Sequence, residues 1–287
     1  MNTQEILQIA LRLAGLKETP ADSGVVFEGA NIKKIAFGVD IEVGELLLAK
    51  ELGVDAVITH HPKGGLPMVE FHNVMTNQIE RMVQAGVPIN KAQKALRERV
   101  EQVSRAHHVA NYDRVVSAAR LLGMPLITIH TPADIMAETF VQNYLDKNLK
   151  KIDKPTIKDV ITVLGKLPEY KLTLAKPIAR VGQEDDFAGK VFVTMAGGTS
   201  GGEKVIRAYF EAGVGTLVVM HMPDDAIKAV KNQGIGNVVV AGHMASDSVG
   251  INLVIRAMEK HGLQVVRMSG VIDTGGGGET HASGYQR

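Results

Sequence analysis

The sequence predicts an α/β protein of about two domains, and three observations support this prediction. Short β-branched segments that fit buried strands alternate with longer segments in which apolar residues recur at helical spacing. Glycine or proline stands at most of the junctions between them. The 287 residues are enough for two domains of ordinary size, each with a substantial core.

The composition is that of an ordinary globular protein and excludes several function classes. Hydrophobic residues make up 45% of the chain and charged residues 22%, which argues against disorder. With a net charge of +1 and 4% aromatic residues, the chain has neither the basic footprint nor the stacking residues of a nucleic-acid-binding protein. No apolar run approaches the ~20 residues that cross a bilayer. We therefore expect a cytoplasmic protein without membrane or nucleic-acid partners.

The first half of the chain begins with an amphipathic helix and continues with a βαβ unit. The opening helix starts at Thr3 and ends near Gly15. A strand at 35–39 with Asp40 at its carboxyl end, a helix at 43–52 and a strand at 54–59 follow. The two strands are expected to lie parallel, with a right-handed crossover between them. The remaining elements of this half are a helix at 71–85, a strand at 125–130 and a helix that ends at 149, with Thr131 as its N-cap and Pro132 at its first position.

A long, charged stretch of helical character lies between residues 89 and 121. Its hydrophobic stripe is weak, which is typical of a helix with one lightly buried face. We interpret it as a helical insert, either an arm or a hairpin that serves an interface. His107 and His108 lie in this insert, and solvent or an interface is the favoured setting for both.

The second half repeats the alternation of strands and helices. A lysine-rich polar segment at 147–155 is the expected boundary, so that the domains span 1–150 and 151–287. The glycine-rich tail from residue 274 is expected to be mobile. The predicted elements are a helix at 157–164, an extended stretch at 171–181, strands at 191–195, 216–220, 238–240 and 264–268, and helices at 203–211, 224–230 and 248–260.

Three of the predicted strands end on histidine, and two of these ends continue into a helix with an acid four residues later. In open α/β sheets, ligands collect at the carboxyl ends of parallel strands. Taken singly, each feature also fits a structural role, such as a solvated loop, a capping histidine or an ordinary helix start. Their recurrence at three strand ends favours one shared site. The residues concerned are His60 with His61, His130 with Asp134, and His243 with Asp247.

Together these side chains offer the donors of a transition-metal site. Cysteine is absent, so any metal must be bound by His, Asp or Glu. Imidazole nitrogens mixed with carboxylates suit Zn, Mn, Fe or Co rather than Ca. His60, His61, Asp134, His243 and Asp247 are more ligands than one catalytic ion with an open position requires, and a carboxylate can bridge two ions. We therefore predict two divalent ions per chain, with His130 behind the ligands or facing a substrate.

A glycine-rich turn, GGTSGG at 197–202, stands between a predicted strand and a predicted helix. Backbone amides at such a helix start can bind an anion, which makes Gly198 and Gly201 candidate substrate contacts. A tight turn without a ligand fits the sequence about equally well, because the turn lacks the lysine of a Walker loop and the spacing of a dinucleotide fingerprint. Lys63, just after the histidine pair, is a further candidate contact for an anionic substrate group.

Four segments, in this order and with α/β units between them, resemble the Nif-three-like family of dinuclear metal-centre proteins, also called GTP cyclohydrolase I type 2-like. They are ITHHP at 58–62, HTPAD at 130–134, AGGTSGG at 196–202 and AGHMASD at 241–247. The resemblance extends over about 18–88 and 122–271. It implies two similar α/β domains with a pair of metal ions in the cleft between them, and a toroidal hexamer built from dimers.

The resemblance also implies that His60, His61, Asp134, His243 and Asp247 are the metal ligands. It suggests a metal-dependent hydrolase that acts on a small substrate bearing a nucleotide or a phosphate. In this interpretation Asp134 bridges the ions, Asp247 is a terminal ligand, and Asp134 and His130 serve catalysis. The family usually has Glu where this chain has Asp247, so we expect one ion to be bound more weakly or through water.

Two other interpretations of the sequence remain open. The first is a metal-stabilised scaffold ring without turnover, in which the helical insert at 89–121 recruits a regulatory partner. The second is a metal-free protein that binds a nucleotide at the turn 197–202. Turnover that depends on Asp134 would favour the enzyme, whereas nucleotide affinity that survives chelation would favour the metal-free protein.

Overall fold

The computed structural model describes residues 1–275, and the tail predicted to be mobile lies outside this range apart from its first residues. The described chain is an α/β protein with two sheets, which confirms the predicted fold class. None of the described helices combines the length and the apolar composition needed to cross a bilayer. The domain division at residue 150 remains a prediction.

The first sheet has five strands in the order β1-β4-β3-β2-β9. All neighbouring strands are parallel except β1, which pairs antiparallel with β4. The last strand of the chain, β9, therefore lies beside β2 at the edge of the first sheet. The strands are β1 (Gly24–Phe27), β2 (Lys34–Gly38), β3 (Ala56–Thr59), β4 (Leu126–Thr128) and β9 (Gln264–Met268).

The second sheet repeats the plan of the first. Its order is β5-β8-β7-β6, and β5 pairs antiparallel with β8, as β1 does with β4 in the first sheet. The parallel strands β8, β7 and β6 then correspond to β4, β3 and β2. Both edge strands also carry a register shift, between Val25 and Phe27 in one and between Ala179 and Val181 in the other. The strands are β5 (Ile178–Val181), β6 (Val191–Thr194), β7 (Thr216–Val219) and β8 (Asn237–Val240).

Two long helices form a central layer between the sheets. They are α7 (Thr131–Leu149) and α12 (His243–Lys260), and both contribute apolar residues to the core of the first sheet and to the core of the second. Gly250 of α12 brings them close, because a Cβ at this position would stand 2.0 Å from the carbonyl oxygen of Ala133. Since the two helices start next to each other, the residues at both N-termini meet.

The remaining helices pack on both faces of the sheets, some beside the central layer and others on the outer faces. On the first sheet, α1 packs with the central layer, and α2 and α6 pack on the opposite face. On the second sheet, α8 packs on the same face as the central layer, whereas α10 and α11 pack on the other face together with α4 and α5. Their bounds are α1 (Thr3–Leu13), α2 (Val43–Glu51), α3 (Gly65–Val69), α4 (Asn77–Ala85), α5 (Ile89–His108), α6 (Arg114–Leu122), α8 (Ile157–Leu164), α9 (Pro168–Leu172), α10 (Glu203–Glu211) and α11 (Asp224–Gln233).

The stretch predicted as a helical insert contains two helices with different roles. The apolar stripe of α5 is buried at Ala92, Leu96 and Val103, and these residues pack into the core on the outer face of the second sheet. Helix α6 packs instead on α2, through Val115 and Ala119, and covers the first sheet. The stretch therefore touches both halves of the molecule.

Several element boundaries differ from the sequence prediction. Helix α12 starts at His243 instead of residue 248, so Asp247 lies one turn inside the helix. His130, not Thr131, is the N-cap of α7. The predicted helix at 71–85 divides into a 3₁₀ helix, Phe71–Thr76, and α4. The short apolar run after Asp22 forms the edge strand β1, because its backbone pairs with β4, a contact that no local pattern signals.

Candidate metal centre

The five predicted ligands and His130 meet at the N-termini of the central helices. His60 and His61 follow β3, His130 follows β4, and His243 begins α12, so parallel strands of both sheets point their carboxyl ends at one place. The ring centroids of His60 and His61 are 5.0 Å apart, those of His60 and His130 are 4.7 Å apart, and those of His61 and His243 are 5.1 Å apart. These residues are far apart in the sequence, and the packing of the sheets and the central helices brings them together.

Three of the histidines are oriented by an acceptor on the far side of the ring. Nδ1 of His60 lies 3.1 Å from the carbonyl oxygen of Ile129, which cannot donate, so Nδ1 carries the proton and donates it. Nδ1 of His61 lies 3.0 Å from Oδ1 of Asp40, and Nδ1 of His130 lies 2.7 Å from Oδ2 of Asp22. Each ring is thereby turned so that Nε2 faces the cluster, which is the usual arrangement of histidine ligands.

The two predicted carboxylates lie among these Nε2 atoms. Oδ1 of Asp134 is 3.4 Å from Nε2 of His60, and its Oδ2 is 3.7 Å from Nε2 of His130. Asp247 reaches three histidines, since its Oδ1 is 3.8 Å from Nε2 of His60, and its Oδ2 is 3.6 Å from Nε2 of His61 and 3.3 Å from Nε2 of His243. This geometry differs from the expected roles, because the more central carboxylate is Asp247, which was expected to be terminal.

The buried polar atoms of the cluster fit a cation. Nε2 of His60, Oδ1 of Asp134 and both carboxylate oxygens of Asp247 are buried and have no hydrogen-bond partner among the described residues. Unpaired buried acceptors are costly, and a metal ion is a partner that satisfies several at once. Three sets of donor atoms lie within 4.8 Å of one another: His60, His61 and His130; His61, His243 and Asp247; His60, Asp134 and Asp247. These buried His and Asp side chains could therefore hold metal ions.

A solved structure with substantial sequence identity decides the family. A NIF3 superfamily protein from Sphaerobacter thermophilus is 38% identical, and the alignment covers 94% of this chain and 98% of that one with a TM-score of 0.90. This chain belongs to the NIF3 superfamily. The resemblance read from the four sequence segments is thereby confirmed.

More distant solved structures share the fold. Reduced HcgD from Methanocaldococcus jannaschii is 15% identical, with 93% of this chain and 97% of that one covered and a TM-score of 0.58. TTHA1606 from Thermus thermophilus is 18% identical, with 93% and 97% covered and a TM-score of 0.55. A scan against family models gave no match, and a search of curated proteins gave no match either.

Burial shifts the protonation of this NIF3 superfamily site toward neutral groups. It lowers the pKa of His60 to about 4, and burial together with neighbouring histidines lowers the pKa of His61 and of His243 to about 3. Burial also raises the pKa of Asp134 and of Asp247 to about 7. The three histidines are therefore neutral near pH 7, as nitrogen ligands must be, and a cation would displace protons from the carboxylates.

His130 is the exception among the histidines of the cluster. Burial lowers its pKa, but Asp134 and Asp22 outweigh this effect and raise the pKa of His130 to about 9. Oδ2 of Asp22 also accepts a hydrogen bond from Oγ1 of Thr131 at 2.7 Å, and Ser23 donates to its Oδ1 at 3.1 Å. Asp22 is thus a fully bonded buried anchor that fixes the His130 ring.

The other predicted substrate contacts lie on a cavity of about 290 Å³ that the cluster opens into. Lys63 lines it, but its Nζ is already 2.7 Å from Oδ1 of Asp40 and 3.7 Å from Oε1 of Glu42. Gly198 and Gly201 also line it, and the side-chain amide of Gln78 donates to the carbonyl oxygens of residues 197 and 199 at 2.6 and 2.7 Å. A Cβ at position 201 would stand 2.5 Å from Oε1 of Gln78 and 2.8 Å from Cβ of Val205, so a larger residue there would displace one of these side chains.

The structure adds residues to the site that the sequence prediction missed. Asp22 and Asp40 anchor histidines, and His221 lines the cavity with its ring centroid 4.8 Å from that of His243. Asp40 and His221 each follow the end of a strand, and this position could have marked both as candidate site residues in the sequence. No such local feature marks Asp22. His107 was expected in solvent or an interface, and it lines the cavity in edge-to-face contact with Phe71.

Proposed function

We propose that this protein is a metal-dependent hydrolase with two divalent ions, Zn, Fe, Mn or Co, that acts on a small substrate bearing a nucleotide or a phosphate. The observation that supports this most directly is a set of buried donor atoms of His60, Asp134 and Asp247 that lie beside an open cavity and have no hydrogen-bond partner within residues 1–275. When bound, two such ions activate a water molecule and clamp the scissile group. The proposed ligands are His60, His61, Asp134, His243 and Asp247.

The chain's own residues would position the substrate and hold a proton. Asp247 would be the better placed carboxylate to serve both ions, because its oxygens face three histidines. The oxygens of Asp134 face two. His130, fixed by Asp22, presents Nε2 beside Asp134 and can hold a proton at that atom. The amides that precede α10, at Gly198 and Gly201, would receive an anionic group, which a helix N-terminus favours. Lys63 would contribute only if it released Asp40.

Metal analysis of the purified protein tests the proposal first. We expect two transition ions per chain in the wild type and a clear loss in His60→Ala. His108→Ala is the matched control, because His108 is exposed on α5 and outside the cluster. Fewer than one ion per chain, with no difference between His60→Ala and the wild type, would remove the proposal.

Turnover then separates an enzyme from a scaffold. Hydrolysis within a panel of nucleotides and phosphoesters should depend on added metal, disappear in Asp134→Ala and persist in His108→Ala. Full metal loading without turnover of any compound in the panel would favour the scaffold interpretation, in which the polar face of α5 recruits a partner. The toroidal hexamer and the cytoplasmic location are also proposals, and light scattering after size-exclusion chromatography measures the first.

A further inference from the structure

We infer that, within the proposed substrate class, the cavity takes a compact aromatic or heteroaromatic compound with one metal-binding group, such as a single phosphate, on the His/Asp cluster and its ring in an apolar arm of the cavity. The arm is lined by Phe71, Val205, Ile206, Leu217, Val219 and Met222. A nucleoside triphosphate suits the cavity less well, because the lysine among its described lining residues, Lys63, is already paired with acids. This inference rests on the proposed function, because the metal-binding group of the ligand needs ions at the cluster.

The arm of the cavity extends into the apolar core on the outer face of the second sheet. Leu217 and Val219 alternate along β7 and so point to the face that α10 covers with Val205 and Ile206. Phe71, from the 3₁₀ helix, belongs to the same core and also contacts the His130 ring, with centroids 5.3 Å apart. The ring of Phe71 therefore borders both the arm and the cluster, so a ligand can reach from one to the other.

The polar groups within the arm are uncharged. The Tyr209 hydroxyl bonds to Thr194, and both residues line the cavity with Thr199 and Ser200 of the glycine-rich turn. Hydroxyl and amide groups of this kind hydrogen-bond to neutral ring nitrogens and carbonyl oxygens, and an apolar pocket with a few such groups is the usual setting of an aromatic ligand.

Among the described residues, the cavity wall offers no lysine or arginine that is free to clamp a polyphosphate. Among the described residues that line it, Lys63 is the sole lysine or arginine, and it is paired with Asp40 and Glu42. Arg99 of α5 borders the glycine-rich turn, with side-chain carbons 3.9 Å from where a Cβ on Gly202 would stand, but it is not among the described residues that line the cavity. Arg81 of α4 is held by Glu138 and by the carbonyl oxygen of Val193. Enzymes that transfer phosphoryl groups clamp the phosphate chain with lysine, arginine and metal ions. Here the ions could neutralise one group, and further phosphates would lie unpaired against apolar side chains.

The size of the cavity agrees with a compact ligand. Its volume of about 290 Å³ lies at the lower end of the ~300–1,000 Å³ that ligand pockets span. One ring system and one functional group suit such a space better than a ligand that carries a chain of three phosphates in addition.

Hydroxamic acids, which bind metal ions through one small group, test the inference without requiring turnover. With metal-loaded protein, calorimetric titration should show that benzohydroxamate binds at least about tenfold tighter than acetohydroxamate, because the phenyl ring is buried in the arm. GTP should displace benzohydroxamate only at more than about ten times the concentration that a low-charge aryl competitor needs.

Two variants with matched controls locate the ring. Val219→Thr places a hydroxyl in the arm and should reduce the preference for benzohydroxamate severalfold, whereas Val218→Thr makes the same change on the opposite face of β7 and should preserve it. Met222→Trp, in the loop after β7, should fill the arm and abolish the preference while acetohydroxamate still binds. Ile235→Trp, exposed at the end of α11, is its control.

The outcomes distinguish the two proposals. Protein that takes up no ions would overturn the proposed function and leave nothing for the hydroxamates to bind. Protein that takes up ions but binds both hydroxamates equally, or binds GTP more tightly than benzohydroxamate, would overturn this inference alone. Equal effects of Val219→Thr and Val218→Thr would do the same, since the ring would then lie outside the arm.

Discussion

Replacing Glu138 with leucine tests how α7 holds the glycine-rich turn of the cavity. β6 is an edge strand, and side chains of α7 take the place of a neighbouring strand along part of its free edge. Oε2 of the buried Glu138 accepts hydrogen bonds from the backbone N–H of Met195 at 2.8 Å and of Ala196 at 3.1 Å. Its Oε1 lies 2.7 Å from Nε of Arg81, although that N–H is not directed along the contact, so the pair is an ion pair rather than an aligned hydrogen bond.

The magnitude follows from the groups left without a partner. Glu138→Leu removes the acceptor of two backbone N–H groups, one buried and one half-buried, and each unsatisfied buried group costs about 1–3 kcal/mol. The Arg81 side chain is 23% exposed, so its charge recovers water and adds little. We expect the free energy of unfolding to fall by about 2–4 kcal/mol and the melting temperature by roughly 3–7 °C, because a chain of 287 residues has an unfolding entropy of about 0.6 kcal/mol/K.

Thermal unfolding followed by circular dichroism measures the effect, with metal content determined in parallel. Thr139→Leu is the matched control, because the neighbouring Thr139 is exposed on the same helix and should change stability by less than about 0.5 kcal/mol. Glu138→Gln keeps one acceptor oxygen, so its free energy of unfolding should lie between those of Glu138→Leu and Thr139→Leu. If Glu138→Leu unfolded within about 1 °C of the Thr139→Leu control, the bonds to Met195 and Ala196 would not stabilise the turn as described.

Three further predictions follow from the site and its supporting helices. Asp40→Asn should weaken metal binding about 10–100-fold in a competitive chelator titration, because His61 loses its charged anchor. Asp55→Asn is the surface control, and equal metal affinities of the two variants would contradict this prediction. Added metal should raise the melting temperature more at pH 8 than at pH 6. Burial raises the pKa of Asp134 and Asp247 to about 7, so protons compete with the ion below that pH. A metal-induced increase in melting temperature that is the same at both pH values would contradict this prediction. Gly250→Ala should destabilise the protein by at least about 1–3 kcal/mol in chemical denaturation, although alanine favours helices. Gly44→Ala is the control and should not destabilise it, because no atom of the described residues lies within 4 Å of the added Cβ. A stabilised Gly250→Ala would show that the central helices can separate.

Much of the fold follows from local sequence signals. The strands β2, β3, β6, β7, β8 and β9 lie within two residues of the predicted bounds, because a buried parallel strand is a short β-branched run wherever it occurs. The first strand of each half was harder to recognise. β1 and β5 are edge strands with partly exposed residues and a register shift, so their existence depends on pairing with a strand far along the chain.

The candidate site shows the same division between local and distant information. Histidines that end strands, and aspartates four residues beyond two of them, could be found because both positions are defined by adjacent residues. The pairing of each anchor with its histidine could not be assigned in this way, even for Asp40, which follows a strand. Asp22 meets His130, and Asp40 meets His61, only when the chain folds. The sequence also favoured Asp134 as the bridge, whereas the earlier start of α12 places Asp247 among three histidines.

The sequence by itself determined the kinds of donor available, the absence of thiolates, the strand ends that carry the donors and the family to which the chain belongs. Only the tertiary structure shows which Nε2 atoms lie near which carboxylate oxygens. It also shows that apolar side chains line the cavity beside them. The physical reason is that backbone preferences act between neighbours in sequence. The convergence of His60, Asp134 and His243 depends instead on two helices packed closely at Gly250 between two separately formed sheets.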